Sequence, residues 1–553
     1  MEEICAVMKW QWILHARELL RKEVSVEART GGGGLSWALV YPNTYRVGMS
    51  NLGFLSIYRL LRQNYGIRCE RAFLPLPAYS GYITEHSDLR TVETQTPLHD
   101  FDIVAFSVSY ELDFPNVVRL IKMSGLPALS SERDEQHPLI IAGGAITYLN
   151  PEPLADFIDL FVLGEGQHVI PRILEAMKDK SGYRREELLK GLSHMKGIYV
   201  PRHQYPLQQD GLNREENGTP GPERIVDSNS TTYFHSPIVT AETEFKSTVL
   251  MEIMRGCPYK CTFCVVGNSF GAFRARPFSD IRDTVLGFPS SINRIGLIGA
   301  SVNCHPEIHR IITLLRERGM FITFSSMRVD RLEEQFLDVI DDQGNRTLTV
   351  APESGSEEMR MKLKKRISDD DIYRALSLAF KRGITTLRLY FMTGLPDEHD
   401  RDIKAIVIMA KRIRELRIKS GSQCRVSLSI NQFIPKAGTP LERVEVAPLQ
   451  LVTERMTELE KDLPRDLKAN FESPGWSRIQ ALLSRGDRAL SGVLSRAETL
   501  SSYRAWFRCL KKCEIDEERY LNQIADTTKM PWEHIRNSKR NSGEHRENQR
   551  EKG

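Results

Sequence analysis

The chain has 553 residues, 41% hydrophobic and 27% charged, with 76 Lys and Arg against 72 Asp and Glu for a formal net charge of +4. That length exceeds what one hydrophobic core supports, so about three domains are expected, and the apolar content excludes a disordered chain. The slight basic excess permits nucleic-acid contact without arguing for it, and no run of about 18 apolar residues offers a membrane span.

The elements alternate. A helical lead around Trp10 to Lys22 and a glycine run, Gly31 to Gly34, make residues 1–34 a lead and linker. Residues 35–200 then show short apolar strands separated by helical stretches: Trp37 to Tyr41, Ile103 to Val108, Leu139 to Ala142 and Leu160 to Leu163. Such a pattern predicts a buried parallel sheet of Rossmann-like type. Loops at its strand ends, Asn43, Tyr45 and Gly48, then Gly143 and Gly144, then Gly164, Glu165 and Gly166, fall on the edge where these sheets bind ligands, although tight turns alone also use glycine. Residues 201–240 are polar and proline-containing and read as a linker. From 241 to 445 six more strands are expected, at Thr248 to Met254, Arg294 to Gly299, Phe321 to Ser326, Thr347 to Ala351, Thr385 to Phe391 and Arg425 to Asn431, with helices between them. Residues 446–535 read as a helical region over the barrel mouth, and 536–553, nearly all polar, as a disordered tail. The fold class is therefore α/β, a Rossmann-like domain followed by a partial (β/α)6 TIM-barrel core.

The most informative segment is Arg255-Gly256-Cys257-Pro258-Tyr259-Lys260-Cys261-Thr262-Phe263-Cys264, directly after the first barrel strand. Cys-x3-Cys-x2-Cys offers three thiolates, and a [4Fe–4S] cluster held by three thiolates keeps one iron open for an outside molecule. Three buried or zinc-binding cysteines are the bland alternative. Glu2 and Glu3 stand where a signal peptide would be basic and then apolar, and nine cysteines without a disulfide-like spacing suit a reducing compartment, so a cytoplasmic protein is expected.

The cysteine spacing resembles the signature of the radical S-adenosylmethionine (radical SAM) superfamily. Further motifs are similar to an uncharacterised subgroup of its cobalamin-binding-domain type, often called class B: Asn150-Pro151-Glu152-Pro153, Gly164-Glu165-Gly166, Pro352-Glu353-Ser354-Gly355-Ser356, Thr393-Gly394-Leu395-Pro396 and Pro435-Lys436-Ala437-Gly438-Thr439-Pro440. The resemblance implies that Cys257, Cys261 and Cys264 hold a [4Fe–4S] cluster, and that an electron from a donor such as flavodoxin or ferredoxin cleaves S-adenosyl-L-methionine to methionine and a 5′-deoxyadenosyl radical. What that reaction needs makes Glu353, at a strand end, a candidate acceptor for the amino group or ribose or else a plain surface or capping glutamate, Arg328 and Arg388 candidate fork donors to the methionine carboxylate or else plain barrel salt bridges, and Gly394 a place where backbone approaches the adenine. Cobalamin is expected against Asn43, Tyr45, Gly48, Gly143, Gly144, Gly164, Glu165 and Gly166. The chain departs from the pattern twice. It has no Asp-x-His-x-x-Gly string, so histidine-ligated cobalamin is not expected, and Gly299-Ala300-Ser301 replaces the usual Gly-Gly-Glu.

Three functional readings follow. The first is a radical SAM enzyme with cobalamin-assisted chemistry such as methyl transfer. The second is a cobalamin-free radical SAM enzyme modifying a macromolecule such as RNA or ribosomal protein. The third is a non-catalytic iron–sulfur or zinc module. Methylthiotransferases share the barrel but bring three more cysteines in their N-terminal domain, whereas only Cys5 and Cys69 precede Cys257. Cys509 and Cys513, one helical turn apart, are packing cysteines or part of an auxiliary cluster, and Cys304 and His305 follow the second barrel strand.

Overall fold

The computed structural model describes residues 2–27, 34–64, 67–76, 89–177, 184–204, 221–227, 232–342 and 346–537. Six strands, β1 (Ser36–Tyr41), β2 (Arg68–Phe73), β3 (Ile103–Ser107), β4 (Leu139–Gly143), β5 (Leu160–Val162) and β6 (Ile198–Tyr199), form one sheet in the order β2-β1-β3-β4-β5-β6. The first five run parallel and β6 antiparallel to β5. Every residue of β1 and β3 is buried, as a sheet covered on both faces requires. This doubly wound order puts its switch point between β1 and β3.

The two faces are covered by different parts of the chain. Trp37 and Leu39 of β1, with Ala105, Ile141 and Val162, pack against helices Leu52–Arg59, Gly166–Ala176 and Arg185–Ser193. Ala38 and Val40 face the other way with Val104, Phe106 and Ile140, toward helix Phe114–Met123. One helix cannot cover five strands, and the rest of this apolar face is closed from far along the chain. Ile479, Leu482 and Leu483 of helix Pro474–Arg485 and Trp506 and Leu510 of helix Tyr503–Lys512 join the same core. From helix Pro474–Arg485 onward, the C-terminal region expected over the barrel mouth is thus part of the first domain's core.

The second domain has two parallel sheets. One holds β7 (Val249–Glu252), β8 (Arg294–Ile298) and β9 (Phe321–Phe324). The other holds β10 (Thr347–Glu353), β11 (Thr386–Thr393), β12 (Arg425–Gln432) and β13 (Lys468–Phe471). The six expected strands are all present. β13 is additional and lies in the stretch read as wholly helical; its four alternating polar and half-buried residues are too short a run to signal a strand. Leu387, Leu389 and Phe391 of β11 and Val426, Leu428 and Ile430 of β12 enter the core with helices Asp369–Lys381 and Asp400–Lys419. The alternate residues Arg388, Tyr390, Ser427, Ser429 and Asn431 therefore face the lumen, which is polar.

Short ribbons join the domains: Val24–Ser25 pairs with Ile238–Val239, and Glu223–Arg224 with Arg536–Asn537. The latter brings the start of the expected tail into a strand, and residues 538–553 lie outside the described residues.

Trp506 is 1% exposed within the core it shares with the first sheet. Trp506→Ala is expected to cost about 3–5 kcal/mol of stability in denaturant titration, and to destabilise the N-terminal sheet together with the C-terminal helices. A separately unfolding C-terminal lid would leave the sheet's own transition in place.

Candidate functional site

The cysteine loop hangs from a two-stranded ribbon in which Met254–Arg255 pairs antiparallel with Arg274–Ala275. Gly256, at φ +72°, turns the chain out of that ribbon, and a Cβ there would stand 2.7 Å from the Ala272 carbonyl oxygen. Asn268 Nδ2 donates to the carbonyls of Cys261 (2.9 Å) and Cys264 (2.7 Å), which folds the loop back on helix Val265–Ser269. A Cβ on Gly267 would lie 2.2 Å from the Tyr259 carbonyl oxygen, so the crossing of these two segments requires glycine.

The three thiols are free, Cys261 buried and Cys257 and Cys264 half-buried. Burial pushes the Cys257 and Cys261 thiols up, the neighbouring cysteines add to that, and Arg328 and, at Cys261, Lys365 oppose it. The three thiols thus share one neighbourhood, in which Arg328 at Cys257 and both cations at Cys261 work against burial. Among the described residues no three His, Cys, Asp or Glu side chains close on a single metal ion. A cubane asks for a wider set, since each thiolate binds a different iron.

The residues expected around S-adenosylmethionine divide. Glu353 ends β10 at φ +72°, and its carboxylate accepts from Lys365 Nζ at 2.9 Å. Arg328 is 8% exposed and committed elsewhere: it forks onto Asp330 (2.9 and 3.1 Å), donates to the Lys365 carbonyl at 2.9 Å, and lies 3.7 Å over the Tyr259 ring. A free fork for a ligand carboxylate is therefore not what Arg328 presents. Arg388 faces the lumen, in register with Thr349 and Ser427 and five residues before the end of its strand at Thr393. Gly394, at φ +78°, packs against the loop after the barrel, where a Cβ would stand 2.8 Å from that of Ala447, and its N–H donates to Glu398; close backbone packing explains this glycine. Sequence reasoning missed Lys365 and Tyr259, which only the folded loop brings to the cysteines. Cys304 lies beside Tyr259 (3.5 Å) and Ser301 (3.0 Å), whereas His305 is buried against the Arg276 carbonyl. Cys509 is buried beside Trp506 and Leu510, and nothing among the described residues completes a metal site with it.

On the first domain a cavity of about 420 Å³ opens at the C-terminal edge of the sheet. Its floor is Trp37, Leu39, Ala105, Ile141 and Val162, and its walls come from Gly53, Ser56 and Ile57 on one helix and Gly166 and Ile170 on another. Gly143, Gly144, Gly164, Glu165 and Gly166 line it as expected, together with Asn51 and Ser109, which sequence reasoning did not single out. Asn43, Tyr45 and Gly48 do not. Asn43 Nδ2 donates to Asp113 at 2.9 Å, the Tyr45 hydroxyl donates to Glu23 at 2.6 Å, and Gly48 makes room for the Phe73 ring, which a Cβ would meet at 2.5 Å. The far wall belongs to the barrel: Glu252, Met254, Arg255, Phe270 and Ile298. Glu252 lies opposite in pleat to Val249 and Met251, which enter the barrel core, so the cavity meets the lumen side of β7.

Glu165 holds this junction closed. Its carboxylate, 4% exposed, accepts from Arg274 at 2.5 Å and pairs with Arg255 at 3.1 Å, the two arginines of the ribbon that carries the cysteine loop.

Comparison with known proteins then places this architecture. The sequence model "Radical SAM proteins, N-terminal" matches residues 53–201, and that of the radical SAM superfamily residues 251–410. An uncharacterized protein of Methanocaldococcus jannaschii is 28% identical over 513 residues, covering 90% of this chain and 98% of the relative. A tRNA-2-methylthio-N(6)-dimethylallyladenosine synthase of Rickettsia felis is 25% identical over 46% of this chain and 58% of its own length. Among solved structures, the cobalamin-dependent S-adenosylmethionine radical enzyme OxsB, with aqua-cobalamin and S-adenosylmethionine bound, aligns at TM-score 0.44 and 14% identity, covering 87% of this chain and 71% of that one.

Two outcomes test the site's electrostatics. Glu165→Gln should lower stability by about 3 kcal/mol in denaturant titration, because two arginines lose a buried counter-charge, whereas Glu242→Gln on the surface should cost under about 1 kcal/mol. Burial pushes the Asp113 carboxyl up to about 6, against the hydrogen bonds from Asn43 and Asn116. Between about 4 and 6 the folded state then binds a proton that the unfolded chain has released, so stability falls as pH rises through that window. Asp113→Asn should flatten that fall and be the more stable protein at pH 8, by up to about 3 kcal/mol in urea titrations across pH.

Proposed function

Because this chain belongs to the radical SAM superfamily and is an enzyme of that class, we propose that Cys257, Cys261 and Cys264 hold a [4Fe–4S] cluster whose open iron takes S-adenosylmethionine, and that the sheet-edge cavity takes cobalamin. The observation that carries the second half is the continuity of the cavity: its far wall includes Met254 and Arg255, and Cys257 is the second residue after Arg255. A group seated on the Rossmann-like edge would thus adjoin the cysteine loop and the barrel lumen.

The residues present fit both groups. For the cluster, the loop offers three thiols, with Arg328 near Cys257 and Cys261 and Lys365 near Cys261 to compensate the charge of bound thiolates, and the Asn268 bonds fix the loop. When bound, the cluster supplies one electron for reductive cleavage of S-adenosylmethionine. For cobalamin, the slot between Trp37, Leu39, Ile57 and Ile170 is apolar and kept open by Gly53, Ser56, Ala105 and Gly166, as a flat aromatic base requires. When bound, cobalamin supplies a carrier for a methyl group. The chain's own task is exclusion and positioning: the buried Glu165 latch closes the junction against water, and the lumen's polar rows orient a substrate. A low-potential electron donor is required, and no helix of the described residues is long and apolar enough to cross a membrane.

Anaerobic reconstitution with iron, sulfide and cobalamin tests both halves. Wild type should hold about four irons per chain and release 5′-deoxyadenosine under dithionite, and Cys261→Ala should lose both. Retained cob(II)alamin should give an electron paramagnetic resonance spectrum without axial nitrogen splitting. Ser56→Trp, which fills the slot, should abolish retention and leave iron content unchanged. Normal iron and cleavage with no cobalamin in wild type would turn the cavity into a substrate-binding surface, and cleavage by Cys261→Ala at the wild-type rate would remove the cluster assignment.

A further inference from the structure

The segment Lys362 to Arg366 leans directly on the cysteine loop. Thr262 N–H donates to the Leu363 carbonyl at 3.0 Å, one residue from Cys261, and Leu363 packs with Phe263 in a small apolar cluster. The next three residues point alternately. Lys364 and Arg366 sit at φ +54° and +52°, a left-handed conformation that bulky side chains rarely adopt, and both are exposed; Lys365 between them turns inward to Glu353. The strained turn is held from several sides. Arg328 Nη2 donates to the Lys365 carbonyl at 2.9 Å, Arg360 Nε to the Ile367 carbonyl at 2.8 Å, and the Lys365 N–H to the Arg360 carbonyl at 2.9 Å. What the strain achieves is placement: two cations stand outward on the turn whose Leu363 bonds the cysteine loop next to Cys261.

These charges lack counter-ions. Glu358 is matched by Lys362 and Arg401, Glu357 by Arg360, Asp330 by Arg328, and Glu353 by Lys365. Among the described residues Lys364 and Arg366 make no side-chain hydrogen bond or ion pair, and exposed Arg331, bonded to the Tyr259 hydroxyl, extends the positive surface along the cysteine loop. Unpaired cations fixed at high conformational cost beside a redox centre suit a partner of opposite charge that must approach that centre closely.

We propose that this face, Arg331 with Lys362, Lys364 and Arg366, docks an acidic protein that carries one low-potential electron. The proposal rests on the radical SAM reading above. The carrier's reduced centre gives up one electron, which reaches the cluster across the Leu363 and Thr262 contact. That electron then breaks the S–C5′ bond of the sulfonium, leaving neutral methionine and the 5′-deoxyadenosyl radical.

The test uses the cluster-loaded full chain and a bacterial flavodoxin. In calorimetric titration at low salt, Lys364→Glu with Arg366→Glu should weaken flavodoxin binding about tenfold or more, the gap closing to within about twofold near 0.5 M salt as screening removes it. Lys364→Gly with Arg366→Gly removes the charges and suits the positive φ, so it should weaken binding likewise while melting no lower than wild type. Dithionite-driven 5′-deoxyadenosine formation should stay within about twofold in both. Equal flavodoxin affinity in wild type and both variants overturns the proposal, as does an affinity loss undiminished by salt. A single-stranded RNA oligonucleotide whose binding falls in the variants while flavodoxin binding does not would assign the face to nucleic acid and overturn it too. No dithionite-driven cleavage in wild type would count against the enzyme reading itself, with calorimetry still deciding the surface.

Discussion

One buried carboxylate governs how the two halves of this protein meet. Glu165 sits at the C-terminal end of β5, between two glycines, and receives Arg255 and Arg274 from the ribbon beneath the cysteine loop. Removing three charges from water costs several kcal/mol per ion, and only close, hydrogen-bonded geometry repays it. Arg255 is further tied to Glu252 at 2.7 and 2.8 Å and Gln167 Nε2 donates to Glu165 at 3.1 Å, while Arg274 Nε, buried, has no partner among the described residues. Such a junction tolerates little sliding. The strand edge of the first domain and the cysteine loop of the second are held at a fixed spacing, and the cavity between them inherits its shape from that constraint.

The close approach also explains the glycines. Gly164, at φ +92°, meets the chain at Ile225, where a Cβ would come within 2.1 Å of the carbonyl oxygen; Gly144, at φ +101°, does the same against Val108 at 2.6 Å. In the barrel, Gly355 lets the loop after β10 pass 2.2 Å from the Ile406 backbone nitrogen, measured from an added Cβ. Gly164 and Gly355 belong to strings that resemble a family signature, and all three glycines serve backbone-to-backbone packing. Signature glycines can therefore be legible in the sequence for a reason that is packing as well as any ligand.

Much of the fold was legible for this reason. Apolar runs such as Ile103–Ser107, buried at every residue, state a two-sided sheet directly, and the six barrel strands alternate with helices at readable lengths. What escaped was long-range. Nothing local in Tyr503–Lys512 says that Trp506 enters the core of a domain hundreds of residues earlier, and β13 is a four-residue edge whose only apolar members are half-buried. At the site, spacing revealed the cysteines because chemistry dictates spacing. It did not reveal that Asn43 and Tyr45 are engaged by Asp113 and Glu23, or that Arg328 is already paired, because partner choice is settled by tertiary contacts.

Arg328 shows how one such contact organises several features. Its guanidinium covers the Tyr259 ring in the cysteine loop, pairs with Asp330 after β9, and caps the Lys365 carbonyl in the strained turn after β10. A lysine could not do this, since a single ammonium lacks the planar fork that bonds a carboxylate while stacking on a ring. The arginine thereby links β9, the cysteine loop and the cationic turn through three unlike interactions. Each alone is worth little at a protein surface. At 8% exposure they act together, and they hold Lys365 where its charge reaches Cys261. The two cations that oppose the upward push of burial at Cys261 are therefore positioned by the fold itself.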